Sequence, residues 1–293
     1  MLKANDLDRE IARWSEQLLV HGYCVIPALL PKTVAALDRD LADDFERTPF
    51  CRGGFYGERT KRFGCLLSRS CHSEALVMNP LIRGIVDHVL SPWCDTVQLN
   101  LTQAIALHPG ALPQFPHRDQ DMWRGALGEV EYLVNVMWPF TPYTKENGAT
   151  LVWPGSHGAR ALDASAPAPE MAIEIDPGSA LLFLGSTLHG AGGNRTEEVR
   201  RGAIVSYCLG WLKPYENQWL AYPPETARRF SPELAGLVGY RQHRPNLGNY
   251  EGQCPSILLA GPSQEILPAT DALRPDQQEA MDAFLDEQRR HAA

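Results

Sequence analysis

The pattern of apolar residues changes after Pro92, and this change limits the folds that the chain can adopt. Beyond this residue the apolar segments become short, alternating or β-branched, and Gly, Pro and Asn separate them. The predicted strands cover 96–107, 131–138, 149–153, 171–175, 179–184 and 201–211. Turn signals between them include Pro109-Gly110, Asn147-Gly148, Pro154-Gly155 and Pro177-Gly178. Many short strands joined by turns are typical of an antiparallel sandwich or barrel.

The residues before Pro92 predict helices instead. Apolar side chains recur at helical spacing in three segments, 6–20, 31–47 and 73–90. A short strand is predicted over Tyr23–Ile26, and the Gly- and Arg-rich segment 50–66 is predicted to be an irregular loop. A mostly irregular tail follows the β region and ends in a charged helix over 276–290. Helices outside a two-sheet β core make this an α+β arrangement, and no linker divides it.

Composition excludes several classes of protein. The 293-residue chain carries a formal net charge of −8, whereas a nucleic-acid binder needs a basic face. No apolar run approaches the 18 residues of a membrane span, and the first residues lack the apolar core of a signal peptide. None of the seven cysteines stands in a CxxC pair, which favours a reducing compartment. We therefore expect a cytoplasmic protein with neither nucleic-acid nor membrane partners.

The tripeptide His117-Arg118-Asp119 is the first candidate for chemistry. If it lies on a strand, residues two apart point to the same face, so one imidazole and one carboxylate converge. His189 follows the apolar run 180–184 and offers a second imidazole. Two histidines and one carboxylate on one face of a metal leave the remaining positions open, which is the ligand set of non-haem Fe(II) oxygenases.

Arg200 and Arg201 open the last strong strand and supply a cation. An anionic 2-oxo acid bound at such a metal needs a buried arginine for its far carboxylate. Because strands alternate, Arg200 shares its face with Gly202, Ile204, Ser206 and Cys208. Arg201 shares the other face with Ala203, Val205, Tyr207 and Leu209. The first face is smaller and more polar, as expected of a face lining an occupied barrel, and it favours Arg200.

Each of these features also has an ordinary interpretation. An HxD tripeptide is common, a histidine after a strand is often an edge residue, and an Arg pair is often a solvated strand end. His72-Ser73-Glu74 is a rival HxE, but it starts a predicted helix, where residues two apart do not face each other. Together, in this order and setting, the three features indicate a metal site more strongly than any one of them does alone.

That order resembles the phytanoyl-CoA dioxygenase family, whose members are Fe(II)/2-oxoglutarate-dependent oxygenases. A second histidine 70 positions after Asp119 and an arginine eleven positions beyond it fit the family pattern. The resemblance runs from about 20 to 260. Further matching stretches are Gly22-Tyr23-Cys24-Val25-Ile26-Pro27, Arg59-Thr60-Lys61-Arg62, Pro116-His117-Arg118-Asp119-Gln120, Asn147-Gly148-Ala149-Thr150, Pro154-Gly155-Ser156-His157 and His189-Gly190-Ala191-Gly192-Gly193-Asn194.

The resemblance implies a fold and a set of roles. It implies a double-stranded β-helix, the cupin-like jelly-roll, in a single domain over 1–293. The parts of this domain are a helical segment 1–92, a jelly-roll core over about 93–215 and a tail 216–293. It assigns His117, Asp119 and His189 to iron and Arg200 to the distal carboxylate of 2-oxoglutarate. Gln103 and Thr150 are further candidates for holding this cosubstrate, beside an ordinary role in strand hydrogen bonding.

The reaction implied is oxidation of a C–H bond of a small-molecule or natural-product substrate by dioxygen, with release of succinate and CO₂. Hydroxylation is the expected outcome among several that related enzymes catalyse. Candidates for the substrate wall are the aromatic residues Phe55, Phe115 and Trp123, with Arg62 as an anion-recognising residue or a solvated loop charge. The alternatives are a cupin-like metal-binding protein and a metalloenzyme without 2-oxoglutarate, such as an isomerase. The sequence leaves the substrate open, and also the choice between a monomer and a homodimer.

Overall fold

The computed structural model describes residues 4–125, 128–162, 169–261 and 266–292. The chain divides into two compact units, Met1–Ala221 and Tyr222–Ala293. The first unit contains the strands β1 (Tyr23–Ile26), β2 (Thr60–Phe63), β3 (Val97–Leu107), β4 (Leu133–Pro139), β5 (Thr150–Val152), β6 (Met171–Ala172), β7 (Ala180–Leu184), β8 (His189–Ala191) and β9 (Arg200–Leu209). They form two sheets, and all the strand pairs are antiparallel.

The large sheet has the strand order β1-β7-β4-β9-β3-β2, and the small sheet has the order β6-β5-β8. A buried apolar cluster draws on both sheets. Its members include Ile105, Met137, Leu181, Phe183 and Ile204 from the large sheet and Val152 from the small one. The predicted α+β jelly-roll is confirmed, and apolar side chains from both sheets are buried between them.

Helices cover the N-terminal part of this unit: α1 (Ala4–His21), α2 (Pro31–Asp40), α3 (Ala42–Arg47), α4 (His72–Val77) and α5 (Pro80–Leu90). The helices predicted over 31–47 and 73–90 are each divided in two. The first breaks at Leu41, whose φ of −91° and ψ of 2° leave the helical region. The second restarts at Asn79, whose side chain accepts from the backbone N–H groups of Leu81 and Ile82 ahead of a proline-initiated helix.

Two strands contradict the sequence prediction. The segment 50–66, predicted as a loop, contains β2, which pairs with β3 so that Arg62 lies opposite Ile105. Strand β8, which begins at His189, was not predicted, and the strand predicted over 171–175 is reduced to β6. Short edge strands of this kind have little sequence signal of their own, because their partners are distant in the chain.

The prediction of a mostly irregular tail is wrong in part. A four-residue helix α6 (Gln218–Ala221) ends the first unit. The second unit contains α7 (Pro224–Ala227), α8 (Pro232–Leu237) and α9 (Pro275–Ala292), the last covering the predicted segment 276–290. Among the helices described, none is both long enough and apolar enough to span a membrane.

Candidate active site

Three side chains converge between the two sheets. Nε2 of His117 lies 3.4 Å from Oδ1 of Asp119, and Nε2 of His189 lies 3.6 Å from Oδ2 of the same carboxylate. The backbones of His117 and His189 are joined by a reciprocal pair of hydrogen bonds of 2.9 and 3.0 Å. This bridge fixes the two imidazoles side by side, with their ring centroids 4.4 Å apart.

His117 and Asp119 do not lie on a regular strand. His117 makes an isolated bridge, and Asp119 begins a 3-10 turn, Asp119–Trp123. The two side chains still face the same point because Arg118 between them is extended, with φ −115° and ψ 125°. Arg118 is held in place by hydrogen bonds from Nε to the Ser186 carbonyl and from Nη2 to the Ser156 carbonyl, of 3.0 and 3.3 Å.

Backbone carbonyls select the tautomer of both histidines. Nδ1 of His117 lies 2.8 Å from the carbonyl oxygen of Phe115, and Nδ1 of His189 lies 3.0 Å from that of Thr187. A carbonyl oxygen only accepts, so each Nδ1 carries the proton and donates it. Each Nε2 therefore presents a lone pair toward the shared space, as metal-ligating histidines do.

The charges of the three groups are set by burial and by their proximity. Burial raises the pKa of Asp119, but the charge of His189 and the interactions with His117 and Asn135 outweigh it and hold the pKa at about 2. Burial lowers the pKa of His189 below its ordinary value, although Asp119 acts in the opposite direction. Burial also disfavours the charged form of His117, yet the neighbouring Asp119 carboxylate and the Phe115 carbonyl favour that form and raise the pKa overall. The carboxylate is thus an anion at neutral pH.

This donor set fits a divalent transition metal. Neighbouring ligands of an octahedral ion with bonds of about 2.1 Å stand about 3 Å apart, close to the two distances from Asp119. His117, Asp119 and His189 each offer one ligand atom, and these atoms lie within 4.8 Å of one another. Within the described residues no other group of His, Cys, Asp or Glu converges in this way. Three protein ligands on one side leave the other positions to small molecules, which is the facial arrangement of non-haem iron enzymes.

The three candidate ligands line a cavity of about 330 Å³, and Arg200 lines its wall. Arg200 is only 3% exposed, and its Nε has no hydrogen-bond partner. Its guanidinium carbon lies 4.3 Å from the centroid of the Tyr143 ring. Gly202, two residues further along the same face of β9, makes room for this ring, because a Cβ there would lie 2.0 Å from the Tyr143 Oη.

Three more of the predicted residues line the same cavity. Thr150 opens β5, and Gln103 lies on β3 opposite Ile204. Arg62, which the sequence left in a loop, projects from β2 and donates from Nη1 to Oε1 of Gln103 at 3.1 Å. Burial lowers the pKa of Arg62, and its Nε is a second buried donor without a partner. The guanidinium remains charged, so the cavity contains two incompletely satisfied cations.

The predicted aromatic wall is only partly present. Phe55 lines the cavity with its ring 4.8 Å from that of His117. Trp123 lies outside the lining, because its Nε1 donates to the Lys213 carbonyl at 2.9 Å. The Phe115 side chain is 72% exposed and also lies outside it, so this residue contributes its carbonyl to His117 instead.

Other residues surround the three candidate ligands, and Asn135 is the one among them that the sequence did not suggest. The hydroxyls of Tyr56 and Tyr215 contact each other across the mouth of the cavity. Asn135 donates from Nδ2 to Oδ2 of Asp119 at 2.9 Å. The sequence signal for this contact was a single Asn in the apolar run of β4. His72 of the rival HxE motif is not among the residues that line this cavity, and its Nδ1 lies 2.8 Å from Oδ2 of Asp40, with which it forms an ion pair when protonated.

Comparison with known proteins places this site in a family. The model of the phytanoyl-CoA dioxygenase (PhyH) family matches residues 18–202. The chain belongs to this family. A curated relative, the dioxygenase trt7 of Aspergillus terreus, is 30% identical over 241 residues, which cover 78% of this chain and 83% of trt7. The predicted membership is confirmed, and the chain is a dioxygenase of the class that uses iron and 2-oxoglutarate.

Two solved structures share the fold of this phytanoyl-CoA dioxygenase family member. The epimerase SnoN from nogalamycin biosynthesis, in complex with Fe³⁺, α-ketoglutarate and nogalamycin RO, matches with a TM-score of 0.57 and 16% identity. The match covers 70% of this chain and 85% of SnoN. HygX from Streptomyces hygroscopicus, with nickel, 2-oxoglutarate and hygromycin B bound, has a TM-score of 0.53 and 15% identity. That match covers 70% of this chain and 89% of HygX.

Proposed function

We propose that this chain hydroxylates a C–H bond of a small, largely uncharged molecule in a reaction that consumes dioxygen and 2-oxoglutarate and releases succinate and CO₂. The observation that carries the proposal is the placement of Arg200, buried and with an unpartnered Nε, in the same cavity as His117, Asp119 and His189. A metal-binding protein or an isomerase without 2-oxoglutarate has no need of a buried cation there. All the residues to which we assign a role lie in the unit that ends at Ala221.

His117 and His189 through Nε2, and Asp119 through its carboxylate, would hold Fe(II). A metal held there would supply the activation of dioxygen with the 2-oxo acid, which is chemistry that protein side chains do not supply. The protein's part is to hold the ligands in one tautomer, one charge state and one orientation. The carbonyls of Phe115 and Thr187 do so for the histidines.

Two arginines in the cavity, Arg200 buried and Arg62 half-buried, match the two carboxylates of 2-oxoglutarate. We assign the distal carboxylate to Arg200, whose guanidinium offers a bidentate fork deep between the sheets. The second cation, Arg62, is held by Gln103 and faces the same cavity, which suits the carboxylate next to the oxo group. Thr150 is a candidate hydroxyl donor to the same molecule. Arg62 thus changes from a substrate residue in the sequence prediction to a cosubstrate residue in this proposal.

The outer wall of the cavity would select the substrate. It is formed by aromatic and apolar side chains with a single carboxylate, contributed by Phe55, Tyr56, Leu101, Asp121, Met122 and Tyr215. Once 2-oxoglutarate neutralises the arginines, little charge remains for a second anion. The aromatic faces and the two tyrosine hydroxyls favour a molecule that is mainly apolar and carries an oxygen or a nitrogen able to hydrogen-bond.

Anaerobic titration with Fe(II) and 2-oxo acids tests the proposal. 2-Oxoglutarate added to the iron-loaded protein should produce a weak charge-transfer band in the visible range. Pyruvate is the matched control, because it has the same chelating end and no distal carboxylate for Arg200. We expect pyruvate to need a concentration about 100-fold higher. Iron binding without a band for either acid would refute the 2-oxoglutarate chemistry, and equal affinity for both would refute the role of Arg200.

A further inference from the structure

The centre of β4 contains a polar residue that the reaction assigned above does not use. Asn135 is the only polar side chain in this strand, whose seven residues are all buried, and it is 1% exposed. Its cross-strand partners are Phe183 of β7 and Ser206 of β9. A buried amide without a full set of hydrogen bonds destabilises a core, so an apolar residue would serve packing better here.

The contacts of Asn135 point to Asp119. Nδ2 donates to Oδ2 of this carboxylate at 2.9 Å, whereas Oδ1 of the amide has no hydrogen-bond partner. The orientation of the amide is fixed by chemistry, because the ionised carboxylate only accepts and the opposite orientation would set two oxygens against each other. One amide hydrogen bond is thus directed at one oxygen of the ligand.

Both oxygens of Asp119 are otherwise available to a metal. Oδ1 lies 3.4 Å from Nε2 of His117, and Oδ2 lies 3.6 Å from Nε2 of His189, so the carboxylate spans the space between the two ligand nitrogens. Carboxylates bind metals through either one or two oxygens. Nothing among the three ligands themselves decides between these modes.

We propose that Asn135 is a positioning residue that engages Oδ2 of Asp119 and so restricts this carboxylate to binding the metal through Oδ1 alone. The inference rests on the proposed function. With one oxygen bound, two histidines and one carboxylate occupy three of six octahedral positions. A chelating 2-oxo acid fills two more, and one remains for dioxygen. A carboxylate bound through both oxygens would take that last position.

Nitric oxide is a probe for the last position, because it binds Fe(II) where dioxygen would and gives a characteristic paramagnetic resonance signal. The variant Asn135→Leu removes the donor and keeps a side chain with the same number of heavy atoms, branched at the same carbon. With Fe(II) and 2-oxoglutarate bound under anaerobic conditions, we expect this variant to need about tenfold more nitric oxide than the natural protein for half of the signal. The visible band with 2-oxoglutarate should persist in the variant.

Ser206→Ala is the matched control. Ser206 is fully buried, lies opposite Asn135 on the same face of the sheet, and its Oγ accepts a hydrogen bond from Nδ2 of Asn100 rather than contacting Asp119. Loss of a polar contact at this depth should leave the nitric oxide titration unchanged. Asn135→Gln keeps an amide donor on a longer side chain and should recover part of the affinity. If Asn135→Leu does not fold, as judged by thermal unfolding, Asn135→Val makes the same test with a strand-favouring residue.

The outcomes distinguish a failure of the proposed function from a failure of the role proposed for Asn135. If the natural protein forms no band with 2-oxoglutarate, the proposed function fails first. If it forms the band, but Asn135→Leu and Asn135→Val titrate with nitric oxide like the natural protein, the positioning role of Asn135 is refuted while the function stands. An equal loss in Ser206→Ala would also refute it, because the effect would then belong to the core and not to the hydrogen bond with Asp119.

Discussion

Arg200 and Arg201 are neighbours in β9 and their side chains lie on opposite faces of the large sheet. Arg200 lies 4.3 Å from the Tyr143 ring in the cavity, whereas Arg201 forms an ion pair with Asp38 of α2 at 2.8 Å. Strand alternation alone produces this separation. A substitution of Arg201 is therefore a matched control for the same substitution of Arg200.

Arg200→Ala should weaken the binding of 2-oxoglutarate by about 100-fold, because the distal carboxylate would lose a buried, charge-assisted pair. The measurement is the concentration of 2-oxoglutarate that gives half of the visible band under anaerobic conditions. Arg201→Ala breaks the pair with Asp38 and should change this concentration less than about threefold. Equal effects of the two substitutions would contradict the assignment.

Asp119→Ala should abolish the oxidation of 2-oxoglutarate and weaken Fe(II) binding by about 100-fold, because it removes the only anionic ligand from the site. Iron retained after dialysis and succinate released under air are the readouts. Glu74→Ala is the control, since Glu74 belongs to the rival His72-Ser73-Glu74 motif. Activity that survives in Asp119→Ala and disappears in Glu74→Ala would move the carboxylate ligand to α4.

The contact between the hydroxyls of Tyr56 and Tyr215 ties the loop that carries Phe55 to the opposite side of the cavity mouth. Tyr215→Phe removes one hydrogen bond, with a net contribution of about 1 kcal/mol, so the loop should open about fivefold more often. Limited trypsin cleavage after the exposed Arg52 measures this opening. Tyr250→Phe, in the second unit, serves as the control. A cleavage rate unchanged in Tyr215→Phe would show that the contact does not hold the loop.

Glu131 makes the stability of the folded protein depend on pH, and the direction of this dependence follows from its surroundings. Burial raises the pKa of this carboxyl above its ordinary value, although a hydrogen bond from the Ser186 hydroxyl acts in the opposite direction. A carboxyl whose pKa is higher in the folded than in the unfolded state favours folding at low pH. That contribution is lost as the pH rises from the unfolded pKa through the folded one.

Glu131→Gln should therefore remove part of the decline in melting temperature as the pH rises from about 4.5, the ordinary pKa of the group. Thermal unfolding followed by circular dichroism between about pH 4.5 and 7 measures the two slopes. The comparison uses slopes because the new amide also changes the hydrogen bonding at every pH. A variant whose melting temperature falls as steeply as that of the natural protein would contradict the assignment.

Much of the fold was predictable because its signals are local. The helix over 6–20, the strand Tyr23–Ile26 and the β region after Pro92 appear where apolar periodicity and turn residues predict them. The divided helices have local causes too, visible afterwards in the Asn79-Pro80 start of α5. Strand β2 was missed, because Thr60–Phe63 has little strand character without β3 beside it.

The candidate site was likewise predictable where its signals are local and not where they depend on distant partners. The order of His117, Asp119, His189 and Arg200 was sufficient to predict the family, and alternation was sufficient to predict which arginine faces the cavity. The chain alone could not place Trp123 and Phe115 outside the cavity, since side-chain direction in a turn depends on distant partners such as the Lys213 carbonyl.

The family, the jelly-roll and the residue types of the candidate metal site were predictable from the sequence, because they depend on local periodicity and on the order of a few chemical groups. The position of Arg62 in the cavity wall and the contact of Asn135 with Asp119 become visible only in the folded structure. Both results depend on register between strands far apart in the chain, and register is set by the packing of the whole sheet.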